Sequence, residues 1–592
     1  MLPKDSRQGR QDHGSRRRSL FVSVEQLDTI GTYTAISSII SSLLLLLYLN
    51  VADQASVVYF HLVYLLTLGF LSAHLAISAI LGKSRLAVLT TVSVMVCLGL
   101  LSTAAAPYPI ISSTDVKFEL QNVNVILSMG VVPWGQGTGF APDYTYFPGL
   151  EIIVSVLSLV SLIPPVVLMK YAGSFLGIIT IMLFLRVYSR ACGQQACGLA
   201  AALAALSPWF VAFDAFMVHQ TLALLFLGMI LLSLGEPKRR EWMFVALLGT
   251  GTIAITHAFT SILLIFSLVL LAATDWLHSR RKTSAALPNL TGITTLAATL
   301  VVVSWDFFAG VAYWPDVFAF LRAATDSLFA PELILRTLAI SQSTGIKPFW
   351  VFVLTAVGLA TYFSIAFGMF VRAMLRRNAR NRSEVPLALA GFLISGGLLV
   401  PYLAGLSVSP DLQGRAFIYL YFLTAPLVAR FLVGRLAGVT HIRLGFRLSR
   451  GAILTAGLIL VILVPVMYYG VSPGIYDRSS PIVFPGDIRL SLGEWQAAAC
   501  FSREKISVSV VYGVILARDF VGALGGKEVY FAPRDGTLLE WIQQHPRELL
   551  FLRVSIIHTP DFAHVSKNDL LSTFDHSDVL YSSGDVVILI AR

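Results

Sequence analysis

Long apolar runs separated by short basic turns constrain this chain more than any other feature. Three of them come early, at residues 32–49, 57–81 and 86–106. Each is close to the roughly 20 residues that a helix needs to cross a bilayer. Only 13% of the residues are charged and 56% are hydrophobic, whereas about 25% are charged in a soluble protein. The sequence therefore predicts a polytopic α-helical membrane protein.

The basic clusters orient the predicted spans. Lysine and arginine are concentrated between apolar runs, in segments such as 16–18, 83–85, 237–240 and 372–382. Because these residues favour cytoplasmic loops, the N-terminus is predicted to be cytoplasmic, and about 13 crossings then leave the C-terminus outside. The net charge of +10 is spread over short turns and not over one face, so we expect no nucleic-acid partner.

Composition divides the chain into five predicted parts. A basic cytoplasmic tail (1–28) is followed by N-terminal membrane helices (29–106), a first extracytoplasmic loop (107–148) and a membrane core (149–471). The last part, 472–592, has the composition of a soluble extracytoplasmic domain, in which strand patterns such as EVYFAP and DVVILIAR alternate with helical ones such as TLLEWIQQ. This alternation predicts an α/β sheet. The four cysteines show no disulfide or metal-binding spacing.

The first extracytoplasmic loop is predicted to hold half of an active site. It is polar and far longer than the roughly 12 to 15 residues beyond which loops usually carry function or are disordered. Asp115 precedes an amphipathic pattern, so it is either a helix cap or a carboxylate that serves as general base or holds a divalent ion. Glu119, one helical turn later, belongs either to the site or to a solvated face.

Several segments, in order along the chain, resemble the external loops of GT-C class membrane glycosyltransferases, a superfamily that includes mannosyltransferases and aminoarabinose transferases. They are ILSMGVVP with YTYFPGL, then LAALSPWFVAFDAFMVHQTLALLF, THAFTSILLIF and QGRAFIYLYFLTAPLVA. The resemblance implies a sugar donor linked to polyprenyl phosphate, and a lipid, glycan or protein acceptor at the outer face of the cell envelope membrane. Some members carry an Asp-x-Asp pair that is absent here, so a divalent cation, Mg or Mn, is implied without assigned metal ligands.

The resemblance also assigns roles. Asp115 is expected to deprotonate the acceptor, and Asp214 matches the second acidic position. Arg415 matches a late arginine that would bind lipid phosphate through its guanidinium, although an arginine that anchors a helix at the interface would look the same. The full set of predicted substrate-binding residues is Arg415, Glu119, His257, Tyr144 and Tyr146.

For several of these residues a purely structural explanation stays open. His257 is either functional or a hydrogen-bonded core histidine. His219 could reach Asp214 only if a helix begins between them. The tyrosines either stack on sugar faces or belong to the aromatic belt at the membrane interface.

Two other functions compete with the transferase. A transporter or flippase of lipid-linked saccharides would use the same cavity, with the acids as proton or ion sites. A non-catalytic assembly scaffold would have less need of acids on the outer face. The sequence shows no internal repeat between its halves and has a large outer domain, and both features favour an enzyme.

Overall fold

The computed structural model describes the helical core and five strands. These are residues 114–132, 146–205, 217–234, 240–279, 290–309, 349–375, 410–437, 510–513, 528–531, 549–553, 577–582 and 586–591, with isolated positions 33, 36, 40, 207, 210, 311, 389, 391, 392, 454, 457, 458, 461 and 462. The predicted spans at 57–81 and 86–106 lie outside these ranges. The helical character predicted for 149–471 is seen in every described stretch of that part.

Ten helices are described between the first external loop and the start of the C-terminal part. We label them α1 (Thr114–Met129), α2 (Gly149–Ser161), α3 (Pro165–Ala191), α4 (Gln194–Ala205), α5 (His219–Leu234), α6 (Arg240–Thr256), α7 (Ala258–Ser279), α8 (Leu290–Phe308), α9 (Phe349–Leu375) and α10 (Pro410–Ala437). Within the described residues, Pro165–Ala191 and Phe417–Gly434 are long and apolar enough to cross a membrane. The total of about 13 crossings stays a prediction.

The break between α2 and α3 lies where the paired prolines predict it. Proline disfavours helical geometry in the residue before it, and α2 ends at Ser161 before α3 begins at Pro165. Leu162 takes a left-handed conformation with φ 58°. The Ser158 hydroxyl donates to the Ile163 carbonyl at 2.7 Å and closes the turn. A 13-residue helix is thus followed by a 27-residue one.

The core forms where small side chains allow helices to approach. The alanine-rich helix α4 is buried along most of its length and packs against α3 and α10. Small residues favour close contact between membrane helices. Aromatic side chains fill the space beside them: the rings of Phe184 in α3 and Phe422 in α10 meet edge to face with centroids 4.6 Å apart. The Tyr188 hydroxyl donates to the Phe422 carbonyl at 2.7 Å.

Two contacts identify the ends of the helical bundle. At one end, a Cβ on Gly149 would overlap Thr256 Oγ1 and touch the Ile255 carbonyl, so the start of α2 lies against the end of α6. At the other end, Arg190 near the end of α3 donates to the Leu232 carbonyl near the end of α5, at 2.9 Å. Since His219 begins α5, it lies at the end opposite to Arg190. The first end is called the Gly149 end below.

The C-terminal strands form one mixed sheet in the order β2-β1-β3-β5-β4, where β1 is Val510–Gly513, β2 Glu528–Phe531, β3 Leu549–Arg553, β4 Ser577–Ser582 and β5 Val586–Ala591. Strand β1 is parallel to β2 and β3, while β5 is antiparallel to β3 and β4. The sequence predicted four of these strands and missed β4, which contains only two strongly apolar residues between polar ones. The predicted helices between strands lie outside the described residues.

Candidate functional site

Helix α1 of the first external loop presents one buried face to the bundle. Glu119, Leu120, Asn122 and Val123 are buried, whereas the last turn is exposed. Residues three and four positions apart lie on the same side of a helix, so the buried acid and amide face the same neighbours. Those neighbours are α2 and α3. The face combines two polar and two apolar side chains, which means that its polar groups need partners.

Those partners come from a histidine and a second acid. His219, the first residue of α5, directs Nδ1 to Glu119 Oε1 at 2.5 Å and Nε2 to Glu151 Oε2 at 3.0 Å. Its backbone N–H also donates to Glu119 Oε1, at 3.3 Å. All three side chains are buried. Because both ring nitrogens face carboxyl oxygens, the arrangement suits a doubly protonated imidazolium. We call these three residues the His219 bridge.

The remaining carboxyl oxygens of the bridge differ in their hydrogen bonding. Asn122 Nδ2 donates to Glu151 Oε1 at 3.5 Å, while Glu119 Oε2 is buried and has no hydrogen-bond partner within the part of the chain that the structure describes. Burial raises the pKa of Glu119 by more than the neighbouring His219 lowers it. A proton on Glu119 would make the bridge neutral as a whole, since one imidazolium would then face one carboxylate. The bridge is therefore a place where a proton can be held.

A second buried histidine has only neutral partners. His257 separates α6 from α7, and its Nδ1 accepts from the Thr260 N–H at 3.3 Å and meets Thr260 Oγ1 at 2.6 Å. Thr260 Oγ1 also makes a short hydrogen bond with the Tyr419 hydroxyl in α10. Since Nδ1 accepts, the Thr260 hydroxyl donates to it, the Tyr419 hydroxyl donates to Thr260, and the ring proton is on Nε2. We call these residues the His257 network.

Both clusters lie at the Gly149 end. Glu151 is in the first turn of α2, Thr256 touches the position of Gly149, and His257 follows Thr256 directly. Helices α2, α5 and α7 begin here and α6 ends here. The external loop helix α1 lies against this end through Glu119 and Asn122. Four segments far apart in sequence thus bring buried polar groups to one end of the bundle.

The predicted site residues are distributed as follows. Glu119 and His257 lie in the two buried clusters, and Tyr146 is partly buried just before α2. Asp115 is the second residue of α1, inside the first turn and not before it. Arg415 is the sixth residue of α10. Only the backbone of these last two is described, and Asp214 and Tyr144 lie outside the described residues. The roles of all seven, and the expected closeness of Asp115 and Asp214, stay predictions.

Sequence reasoning did not identify Glu151 and His219 as partners. A usable signal exists, because both residues border long apolar runs, GLEIIVSVLSLV and HQTLALLFLGMILL. Ionisable residues in such positions are costly unless they are paired. The identity of the partner is not visible in the sequence, since Glu119 precedes His219 by 100 positions and Glu151 precedes it by 68.

A divalent cation finds no assembled ligand set among the described residues. No group of three His, Cys, Asp or Glu side chains within them has the arrangement that would hold a metal ion. In the His219 bridge both ring nitrogens are directed at carboxyl oxygens, which suits a proton-holding cluster better than a metal centre. The cation implied by the sequence resemblance has no assigned ligands, and the side chains of the predicted acids Asp115 and Asp214 are not described.

Comparison with known proteins gives matches in structure only. No protein-family model matches the sequence, and no curated protein does. The oligosaccharyltransferase of Archaeoglobus fulgidus in its apo form matches with 12% identity and a TM-score of 0.48, over 85% of this chain and 74% of that chain. The same organism's oligosaccharyltransferase AglB, in complex with an inhibitory peptide and a dolichol-phosphate, matches with 13% identity and a TM-score of 0.47, over the same shares.

ArnT from Cupriavidus metallidurans bound to undecaprenyl phosphate matches with 14% identity and a TM-score of 0.48, over 85% of this chain and 97% of that chain. The resemblance drawn from the sequence motifs pointed to proteins of this kind. The roles proposed below rest on this chain's own residues.

Proposed function

We propose that this protein is a multi-pass membrane glycosyltransferase that moves a sugar from a polyprenyl-phosphate donor to an acceptor on the extracytoplasmic face. The observation that carries the proposal is the His219 bridge. Its three residues come from the first predicted external loop (Glu119), from the helix that begins after that loop (Glu151), and from the helix that begins within the second motif (His219). Ionisable groups buried within a membrane protein are energetically costly and usually mark a functional cavity. Their convergence supports one site at the Gly149 end.

The sidedness of the bundle supports the same proposal. Arg190, part of a basic cluster expected in the cytoplasm, lies at the end opposite to His219. The Gly149 end would then face outward, together with the first external loop. Helix α10 brings Tyr419 to this end, and Arg415 precedes Tyr419 by four residues, about one helical turn. The two helices that carry Asp115 and Arg415 thus both reach the Gly149 end.

In the proposed reaction Asp115 takes the proton of the acceptor hydroxyl while that oxygen attacks the anomeric carbon. The bond from this carbon to the phosphate oxygen breaks, its electron pair stays on the lipid phosphate, and the sugar configuration inverts. Arg415 binds the phosphate before and after bond cleavage. Asp214 completes the acidic side of the site, and the implied Mg or Mn would neutralise phosphate charge when bound.

The substrates are proposed by class. The donor is a sugar on a polyprenyl phosphate, the kind of lipid phosphate present in two of the matched structures. The acceptor is a lipid, a glycan or a protein, with the C-terminal domain on the same side of the membrane. Tyr144 and Tyr146 would stack on sugar faces, and membrane lipids would surround the bundle.

One observation favours a second function. A buried carboxyl group with a raised pKa beside an imidazolium is also what a proton-coupled transporter or flippase of lipid-linked saccharides would use. Such a protein would move the labelled lipid across vesicles without cleaving the bond between sugar and phosphate. The two functions are therefore separated by the fate of that bond.

The test uses the purified full chain in lipid nanodiscs with a radiolabelled polyprenyl-phosphate sugar and an envelope extract as acceptor. Wild-type protein should move label from the donor to the acceptor. Asp115→Asn should lower turnover by about 10² to 10⁴ because a general base contributes that much. Arg415→Ala should first weaken apparent donor affinity, since phosphate is bound in ground and transition states alike.

The control is Ser128→Ala, on the exposed last turn of α1, where the hydroxyl bonds only to the Val125 carbonyl. It should behave as wild type. Normal turnover by Asp115→Asn would make Asp115 a structural residue and move the base to Asp214. Transport of intact donor without transfer would replace the enzyme by the transporter.

A further inference from the structure

We infer that the His219 bridge positions helix α1 for the reaction. It fixes the rotation of α1 about its axis and its position along that axis, and it thereby places Asp115 where proton transfer requires it. This role rests on the proposed function. The bridge residues are positioning residues and not catalytic ones, because their side chains are buried and both ring nitrogens of His219 are directed at Glu119 and Glu151.

The bridge holds α1 at two points on one face. Glu119 Oε1 receives the ring Nδ1 and the backbone N–H of His219, at 2.5 and 3.3 Å. Three residues later, Asn122 donates to Glu151 at 3.5 Å. One attachment leads to the start of α5 and the other to the start of α2. Two directional contacts on one face fix both the rotation of a helix about its axis and its position along that axis.

The apolar contacts of this face are not directional. Leu120 and Val123 are buried beside Glu119 and Asn122, and apolar burial depends on area and not on orientation. These apolar contacts alone would let α1 rotate or slide while the same side chains stayed buried. Asp115 lies one turn before Glu119, so any such movement of α1 carries it along.

Holding a helix through the bridge also has a high desolvation cost. Two buried carboxyl groups and an imidazole need each other to offset the loss of water, and apolar replacements of similar volume are often as stable. In addition, Glu119 Oε2 is buried with no partner among the described residues, which a device built only for stability would avoid. What the charged arrangement adds over an apolar one is fixed geometry.

Fixed geometry matters because catalysis is sensitive to small displacements. A misplacement of about 1 Å, caused by a change away from the reacting atoms, can cost about 10² in rate. Weakening the bridge should therefore lower kcat through Asp115 and leave ground-state donor binding almost unchanged.

The experiment is a double-mutant cycle in the transfer assay above. Glu151→Gln alone should lower kcat about 10- to 100-fold and change KM for the donor less than about 2-fold. In an Asp115→Asn background it should cause less than about a 2-fold further loss, because the base that it positions is already gone. The matched control is Ser155→Ala, one turn later in α2, a buried hydroxyl without a partner in the described chain; it should change neither constant.

A second measurement does not depend on turnover. Amide hydrogen exchange in residues 114–129 should be faster in Glu151→Gln than in wild type, while exchange in α3 stays the same. Should Glu151→Gln fail to fold, Glu119→Gln takes its place, since its amide oxygen can still accept from His219.

The outcomes are separable. Wild-type transfer together with a normal Glu151→Gln, or with losses that multiply fully in the Asp115→Asn background, would overturn the positioning role alone. Unchanged exchange in α1 would also overturn it. Absence of transfer by the wild-type protein would overturn the proposed function, and the positioning of a catalytic base with it.

Discussion

The two buried histidines at the Gly149 end lie in contrasting environments. His219 lies between two carboxyl groups, contributed by a loop helix and by the start of α2. Among the described residues, the ring of His257 is hydrogen-bonded to the hydroxyl and the backbone N–H of Thr260, and the Thr260 hydroxyl in turn bonds to Tyr419 of α10. One cluster contains charged groups and joins α1 to α2 and α5. The other is neutral and joins α7 to α10.

The difference shows how a histidine's role follows from its partners. Two carboxyl groups require both ring nitrogens to donate, so His219 cannot lose its proton without weakening one side of the bridge. The hydroxyl chain of the His257 network instead fixes a neutral ring with its proton on Nε2. A neutral ring whose Nε2–H has no partner among the described residues can adapt to a ligand, whereas an imidazolium that donates from both nitrogens holds its neighbours in place.

The largest expected effect comes from His219→Leu. Removal of the cation leaves two buried carboxyl groups facing each other, and breaking a buried pair from one side costs about 3 to 5 kcal/mol. We expect a matching fall in the free energy of unfolding, measured by denaturant titration in detergent with Ser128→Ala as control. A loss below about 1 kcal/mol would mean that the carboxyl groups find other partners, and the contrast with His257 would disappear.

Gly149→Ala tests the point where the two clusters meet. The added Cβ would overlap Thr256 Oγ1 and touch the Ile255 carbonyl, and overpacking of this kind costs about 1 to 3 kcal/mol. The start of α2 should move away from α6 and disturb Glu151 and His257 together. Gly251→Ala, where a Cβ meets nothing within 4 Å, is the matched helix control. Equal melting temperatures for both variants would show that α2 and α6 are not in contact.

A smaller effect is expected in the His257 network. Thr260→Val keeps the shape of the side chain and removes the hydroxyl that links His257 to Tyr419. Two neutral buried hydrogen bonds are lost, and since each contributes about 0.5 to 1.5 kcal/mol, the expected loss of about 1 to 3 kcal/mol is below the cost for His219→Leu. Unfolding of Thr260→Val, Tyr419→Phe and the double variant should show coupling between the two hydroxyls. Fully additive losses would contradict the hydrogen-bond chain.

The smallest effect is a dependence on pH. Burial raises the pKa of Glu119 above its ordinary value of 4.5, against His219 and beside Glu151, so the folded protein holds this proton more tightly than the unfolded chain does. The resulting stabilisation is complete below pH 4.5 and is lost as the pH rises through the raised pKa.

Glutamine resembles the protonated acid and cannot ionise. The melting temperature of wild type relative to Glu119→Gln should therefore fall as the pH rises above 4.5. Ser155→Ala, measured in the same buffers, should show a difference from wild type that does not change with pH. A relative melting temperature that rises with pH would mean that Glu119 is stabilised as the carboxylate.

Local patterns predicted much of the fold. The paired prolines at 164 and 165 predicted the break between α2 and α3, because proline acts on the residues beside it. The apolar and β-branched runs that contain β1, β2, β3 and β5 were likewise recognisable from their own residues. Strand β4 was not predicted because SDVLYS has too few apolar residues to show an alternation. Its pairing with β5 defines it as a strand.

The sequence by itself determined that the chain carries apolar runs of bilayer length with polar stretches between them, and it predicted a membrane protein from them, because such a run is recognisable without its neighbours. It also pointed to Glu119 and His257 as residues of interest. Only the tertiary structure decided that Glu119 pairs with His219, that Glu151 completes the bridge, and that His257 turns to Thr260 and Tyr419. The reason is physical: a buried charge must have a partner, but which partner it has depends on which helix ends meet, and residues separated by 68, 100 and 159 positions carry no local sign of that meeting.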